Sequence, residues 1–154
     1  MGTYNFKSSG KSAEQYNIKI LPTAALPIGI RTPLCLDDKN LFVMTYLISE
    51  QVHDNLRNLL LTNWGERLGI YDFGANLREL TSELSNIDAF DEEVIKRIRS
   101  AVTKWMPFVT LNNFVSEIDN ERNRSTGIVK IAITYGVPQL GVENKSLQIS
   151  LYVI

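Results

Sequence analysis

An α+β fold is predicted for this chain, with helices first and a small antiparallel sheet after them. Three observations lead there. Apolar residues recur at steps of three and four through residues 42–61 and again through 88–105, the spacing that lines one face of a helix. The last third of the chain instead alternates apolar and polar residues, the period of a half-buried strand. The first forty residues fit neither pattern, because Pro22, Pro27 and Pro33 repeatedly deny a helix or a central strand.

Taken in order, residues 1–40 read as an extended arm. Ser8, Ser9, Gly10 and Ser12 are linker-like, yet Ile18, Ile20, Leu21, Leu26, Ile28 and Ile30 make the segment too apolar for a solvated tail. Such an arm is expected to lie on a surface, its own domain's or a neighbour's. Residues 41–154 are expected to form one domain. Within it, Ile48, Val52, Leu56, Leu59 and Leu60 mark an amphipathic helix over about 42–61, stopped by Asn63 and Gly65. A short helix is expected around 75–84. The longest helix opens at Asp88 as N-cap, carries Asp91 to Glu93 in its positive first turn, and buries Val94, Ile95, Ile98, Ala101, Val102 and Trp105 before Pro107 ends it.

The strands follow. Residues 108–118 are strand-like but irregular. From Ile128 to Val137 the pattern is regular, with Val129, Ile131, Ile133 and Tyr135 on one face and Lys130, Ala132 and Thr134 on the other. Leu147, Ile149, Leu151 and Val153 alternate to the chain end, and no charged residue follows Lys145. "DNERNRSTG" and "GVPQLGVENKS" supply the turns. If that final strand lies at a sheet edge, its unpaired N–H and C=O groups invite another chain to add a strand.

Composition narrows the function. At 154 residues, 44% hydrophobic and 21% charged, the chain can bury a core. Its formal net charge of -1 provides no basic field for nucleic acid or an anionic membrane. No stretch approaches the roughly 18 apolar residues of a membrane span, and nothing near Met1 resembles a signal peptide. The single Cys35 is expected to be a small buried hydrophobe in a reducing compartment. No Cys/His cluster suggests a metal, no phosphate loop suggests a nucleotide, and His53, just beside the apolar stripe of its helix, is expected to be a solvated or boundary histidine; neither cofactor nor metal is expected.

The chemically suggestive stretch is "LLLTNWGERLGIYDFGANL", residues 59–77, where Glu66, Arg67 and Asp72 fall in one glycine-rich turn. Two carboxylates about 5 to 10 Å apart could hydrolyse a glycoside if one had a raised pKa. Arg67 beside Glu66 argues for a lowered one. The plainer reading has the glycines shaping the turn, Glu66 and Arg67 holding each other or free backbone groups, Asp72 or Asn76 capping the next helix, and Tyr71 and Phe73 anchoring it.

"NLRNLLLTNWGERLGIYDFGANLREL", "AVTKWMPFVTL" and "GIVKIAITYGV" resemble, in order, three segments of the baseplate wedge and sheath-initiator proteins of contractile phage tails, a family that includes a type VI secretion baseplate component. The resemblance covers about residues 42–137. Its hallmarks here are Thr62, the Gly65-Glu66-Arg67 step and the Asp72-Phe73-Gly74 triplet. It implies a non-enzymatic protein of the virion tail baseplate, assembled in the host cytoplasm, that nucleates sheath through exposed strands. Its implied partners are tail-sheath subunits and the wedge core bundle, with a central hub or tube-proximal protein as a further one, and neither nucleic acid nor membrane. The family's Glu-Pro-Arg step is replaced by Met106, Pro107 and Phe108, so an apolar contact through Trp105, Met106 and Phe108 is expected instead of a salt bridge. Some family members carry a lysozyme label, which makes a muralytic enzyme using Glu66 and Asp72 the alternative. The expected partner-binding set is therefore Gly65, Glu66, Arg67, Asp72, Phe73, Gly74, Trp105, Met106, Pro107, Phe108, Leu147, Ile149, Leu151 and Val153.

Overall fold

The computed structural model describes residues 26–38, 41–82, 87–119 and 127–153. Among them are three helices and two small antiparallel sheets, an α+β arrangement. The helices are α1 (Ile48–Leu61), α2 (Leu77–Ser82) and α3 (Ile87–Trp105). The strands are β1 (Gly29–Ile30), β2 (Met44–Thr45), β3 (Thr110–Asp119), β4 (Gly127–Val137) and β5 (Val142–Val153).

The first helix starts at Ile48, six residues later than its apolar spacing suggests. Residues 42–47 are rich in β-branched and aromatic side chains, and β1 supplies them with a partner. Met44 pairs with Ile30 and Thr45 with Gly29, while Ile28 N–H donates to the Thr45 carbonyl at 2.8 Å. Strand pairing outweighs a helical propensity that was weak to begin with. This small sheet rests on α1. A Cβ at Gly29 would meet Gln51 Oε1 at 1.9 Å, so a larger residue there would displace the end of the Gln51 side chain that lies against β1. Residues 1–25 and 39–40 of the expected arm lie outside the described residues.

Cys35 is exposed rather than buried. It stands between the exposed Leu34 and Leu36, in a segment with no core beneath it. The long helix begins at Ile87, which puts Asp88 inside its first turn instead of at the cap.

In the three-stranded sheet β4 is central, flanked by β3 and β5. Val129, Ile131, Ile133 and Tyr135 are all buried on one face, as their alternation requires. Leu147, Ile149 and Leu151 of β5 lie beside them, and the stripe Val94, Ile98, Ala101 and Val102 of α3 closes over the same core with Leu56, Leu59 and Leu60 of α1. The irregularity of β3 has a definite cause. A bulge between Leu111 and Asn113 resets the alternation, so Leu111 opposite Tyr135 and Phe114 opposite Ile133 both reach the core although three residues apart. The turn "DNERNRSTG" falls largely on residues 120–126, outside the described residues. The following one is a 3₁₀ turn, Pro138–Leu140, closed by left-handed Gly141.

Candidate functional site

The stretch from Thr62 to Asn76 is a corner between α1 and α2, and polar groups hold it from inside. Thr62 ends α1, its hydroxyl donating to the Asn58 carbonyl at 2.6 Å. Gly65 N–H donates to the Tyr71 carbonyl at 2.7 Å, closing the loop on itself. Gly74 has φ +111°, and a Cβ there would stand 2.1 Å from the Thr62 carbonyl oxygen. Both its dihedral and its surroundings demand glycine. Its own carbonyl accepts the indole N–H of Trp64 at 3.2 Å.

Asn63 organises the charged part. Its backbone N–H and its side-chain amide donate to the two carboxylate oxygens of Glu66, at 2.7 and 2.9 Å. Its amide oxygen meanwhile accepts the Arg78 N–H at 3.3 Å, capping α2. The cap was expected from Asp72 or Asn76, but it comes from across the corner. Asn76 instead takes φ +50° and accepts the Trp64 backbone N–H.

Glu66 is a lowered carboxyl, as expected, though not because of Arg67. The hydrogen bonds from Asn63, side chain first and backbone second, hold it below the ordinary carboxylate range, with the charge of Arg78 adding a little. Arg67 turns the other way. Its guanidinium lies 4.2 Å from the Phe73 ring centroid, and Phe73 packs at 5.3 Å and 60° against Trp105. Asp72 is paired with Lys104 at the end of α3, which lowers its carboxyl also. Phe73 anchors the corner as expected, whereas Tyr71 is exposed.

Two expected clusters thus become one surface. A groove of about 750 Å³ is lined by Glu66, Arg67 and Phe73 from the corner, Trp105, Met106 and Phe108 from the α3–β3 junction, and polar residues of α1. Met106 is buried beneath it, while Phe108 is 37% exposed. Asp72 faces a separate depression with Lys104, Glu93 and Arg97. The third cluster stands apart. Leu147, Ile149 and Leu151 point into the core, so β5 turns Gln148, Ser150 and Tyr152 outward. Val153 pairs with Gly127 at the strand end, and its side chain lies outside the described residues. Among the described residues no further strand pairs with β5.

A part-buried polar joint went unnoticed in the sequence. His53 Nδ1 lies 2.9 Å from the Tyr135 hydroxyl, and the rings stack at 6.1 Å. Burial raises the Tyr135 phenol to about 12, so it stays protonated beside the imidazole. Burial, then the Lys145 charge, pushes His53 down, Arg57 also lowers it, and Asp54 opposes them. The next residue, buried Asp54, accepts the Thr32 N–H at 2.9 Å and ties the arm to α1. These partners lie 82 and 22 positions away, so no local pattern announces them. Among the described residues no three of His, Cys, Asp and Glu gather to hold a metal, and no helix is long and apolar enough to cross a membrane.

No protein-family model matches the sequence, and no curated protein resembles it closely enough to count as a match. Solved structures do share the fold. A chain of the anti-feeding prophage baseplate superimposes with a TM-score of 0.58 at 20% identity, over 70% of this chain and 82% of that one. The candidate tail lysozyme of Geobacter sulfurreducens aligns with a TM-score of 0.52 at 20% identity, over 69% and 89%. A chain of a type VI secretion baseplate complex is more loosely similar, at a TM-score of 0.44, 16% identity, and 68% and 92% coverage.

Proposed function

We propose that the protein is a structural component of a contractile-tail baseplate, a wedge subunit that starts sheath assembly by offering a strand edge. The observation that carries this is β5, a 12-residue strand lying at the edge of its sheet. Free proteins usually shorten, charge or cover such an edge. Here the outer face of the strand from Ser146 onward bears no charge, and its inner face is locked into the core. The fold shared with an anti-feeding prophage baseplate chain supports the reading. Tail-sheath subunits are the natural strand partners, and the wedge core bundle and a hub or tube-proximal protein are the remaining contacts; the protein resides in the virion baseplate after assembly in the host cytoplasm.

Deleting β5 would strip the core of Leu147, Ile149 and Leu151 and so tests nothing but folding. Lysines at Gln148, Ser150 and Tyr152 leave that face intact and charge the edge strand. Baseplates carrying this triple variant should assemble but fail to grow sheath. Sheath growth at the wild-type level on them would sink the strand-edge idea.

The muralytic reading is favoured by one observation, the fold likeness to a candidate tail lysozyme. Against it, both Glu66 and Asp72 are held as anions by their partners, whereas glycoside hydrolysis calls for a protonated acid. A peptidoglycan turbidity assay decides. Clearing by the wild type and not by Glu66→Gln would establish the enzyme and displace the structural role.

A further inference from the structure

We propose that a small pocket between α3 and β3 binds a carboxylate carried on a short apolar body. No residue of the corner, of positions 105–108 or of β5 lines it, and the inference does not rest on the assembly reading. The pocket has a volume of about 190 Å³. That is room for about six water molecules, or for one small organic group.

The only charged residue lining it is Arg99. No acid stands one helical turn from Arg99 on α3, where the neighbouring positions are Ile95, Lys96, Val102 and Thr103. The acids earlier on the helix are engaged or distant. Glu93 pairs with Lys96 and Arg97, and Asp91 accepts the Ser116 hydroxyl at 2.6 Å. Glu92, seven residues back, is about 10 Å away along the axis and does not line the pocket. Arg99 enters no ion pair among the described residues. A guanidinium without an acid, lining a pocket that holds no anion, matches the two oxygens of a carboxylate.

The bulge in β3 sets the remaining walls. By resetting the alternation it leaves two exposed amides, Asn112 and Asn113, beside Arg99, and keeps Leu111 and Phe114 packed on the core. Asn112 is fixed, since its amide donates to Asn144 Oδ1 at 2.9 Å, and Asn144 is itself held at φ +54°. The Asn113 side chain enters no hydrogen bond among the described residues, which leaves a donor for a ligand oxygen. Beneath these groups Ile98 and Ile133 are each 1% exposed, so the floor is apolar. One cation, neutral amides and an apolar floor select an anionic head on an apolar body and disfavour an amine.

The test titrates hexanoate into the full chain and follows NMR shifts. Saturable shifts at Arg99, Asn113 and Ile98 are expected, with a Kd of about 1 to 10 mM. Hexylamine, with the same body and the opposite charge, should bind at least about tenfold more weakly, and so should acetate, which lacks the body. Arg99→Gln should abolish the preference for hexanoate over hexanol, while Arg67→Gln should leave it unchanged. Acetyl-Gly-Leu, whose terminal carboxylate sits on a leucine, is the second arm. Tighter binding than hexanoate identifies a protein C-terminus as the source of the carboxylate, and weaker binding a free acid. Equal affinity for hexanoate and hexylamine, an unchanged hexanoate preference in Arg99→Gln, or no saturable shift up to about 50 mM would overturn the proposal.

Discussion

The corner at 62–76 and the segment at 26–47 both lie against α1, and they are attached in opposite ways. In the corner most polar groups have a named partner: Glu66 has Asn63, Asp72 has Lys104, Arg67 has the Phe73 ring, and the Trp64 indole has the Gly74 carbonyl. The segment 26–47 instead leaves Leu26, Leu34, Leu36, Leu41 and Leu47 more than half exposed. It is held by backbone pairing, β1 with β2 and the Leu36–Phe42 bridge, and by the bond from Thr32 to Asp54. Two-stranded sheets of this size are marginal without support. The contrast teaches that the corner is held largely by side-chain partners, while the arm segment relies on backbone pairing.

The largest expected break in that contrast is Gly74→Ala. A left-handed φ combined with a 2.1 Å collision against backbone should cost about 2 to 4 kcal/mol of unfolding free energy in urea titration. A loss under about 1 kcal/mol would show that the corner yields more easily than its geometry indicates.

Next comes Asp54→Ala, which leaves the Thr32 N–H without its acceptor and should cost about 1 to 3 kcal/mol. Amide exchange should quicken at residues 28–45 and remain unchanged in the corner. Equal acceleration in both regions would mean that they unfold as one unit, removing the distinction drawn above.

The smallest effect concerns pH and the joint beside that bond. The folded-state pKa of His53 lies below 6.5, so the folded protein binds fewer protons there than the unfolded chain. The stability linked to neutral His53 is therefore fully present above about pH 6.5 and is lost as pH falls through the folded value. Unfolding free energies measured from pH 7.5 downward should decline, and His53→Phe should flatten that part of the decline. The same slope in both proteins would assign it to other groups.

Much of the fold was legible because burial imposes a period on the residues themselves. Val94, Ile98 and Val102 had to share a helix face, and Val129, Ile131 and Ile133 a strand face, whatever they packed against. The helix start at 42 misled because residues 42–47 respond to a partner strand from the arm, and periodicity along one segment carries no record of a neighbour. Cys35 misled for a related reason, since apolar flanks indicate burial only when a core lies beneath them.

The candidate site divides in the same manner. The sequence by itself determined that residues 62–76 form a glycine-shaped turn, that the α3–β3 junction carries aromatic and apolar side chains in place of charges, and that residues 147–153 alternate as a strand does. Only the tertiary structure decided that the turn and the junction line one groove, that Asn63 rather than Arg67 holds the Glu66 carboxyl low, and that Leu147, Ile149 and Leu151 belong to the core while their strand lies at one side of its sheet. The physical reason is range. Backbone conformation and burial periodicity are set by neighbours within a few positions, whereas hydrogen bonds and ring contacts form between residues such as Phe73 and Trp105, or His53 and Tyr135, that meet only once the helices have closed over the sheet.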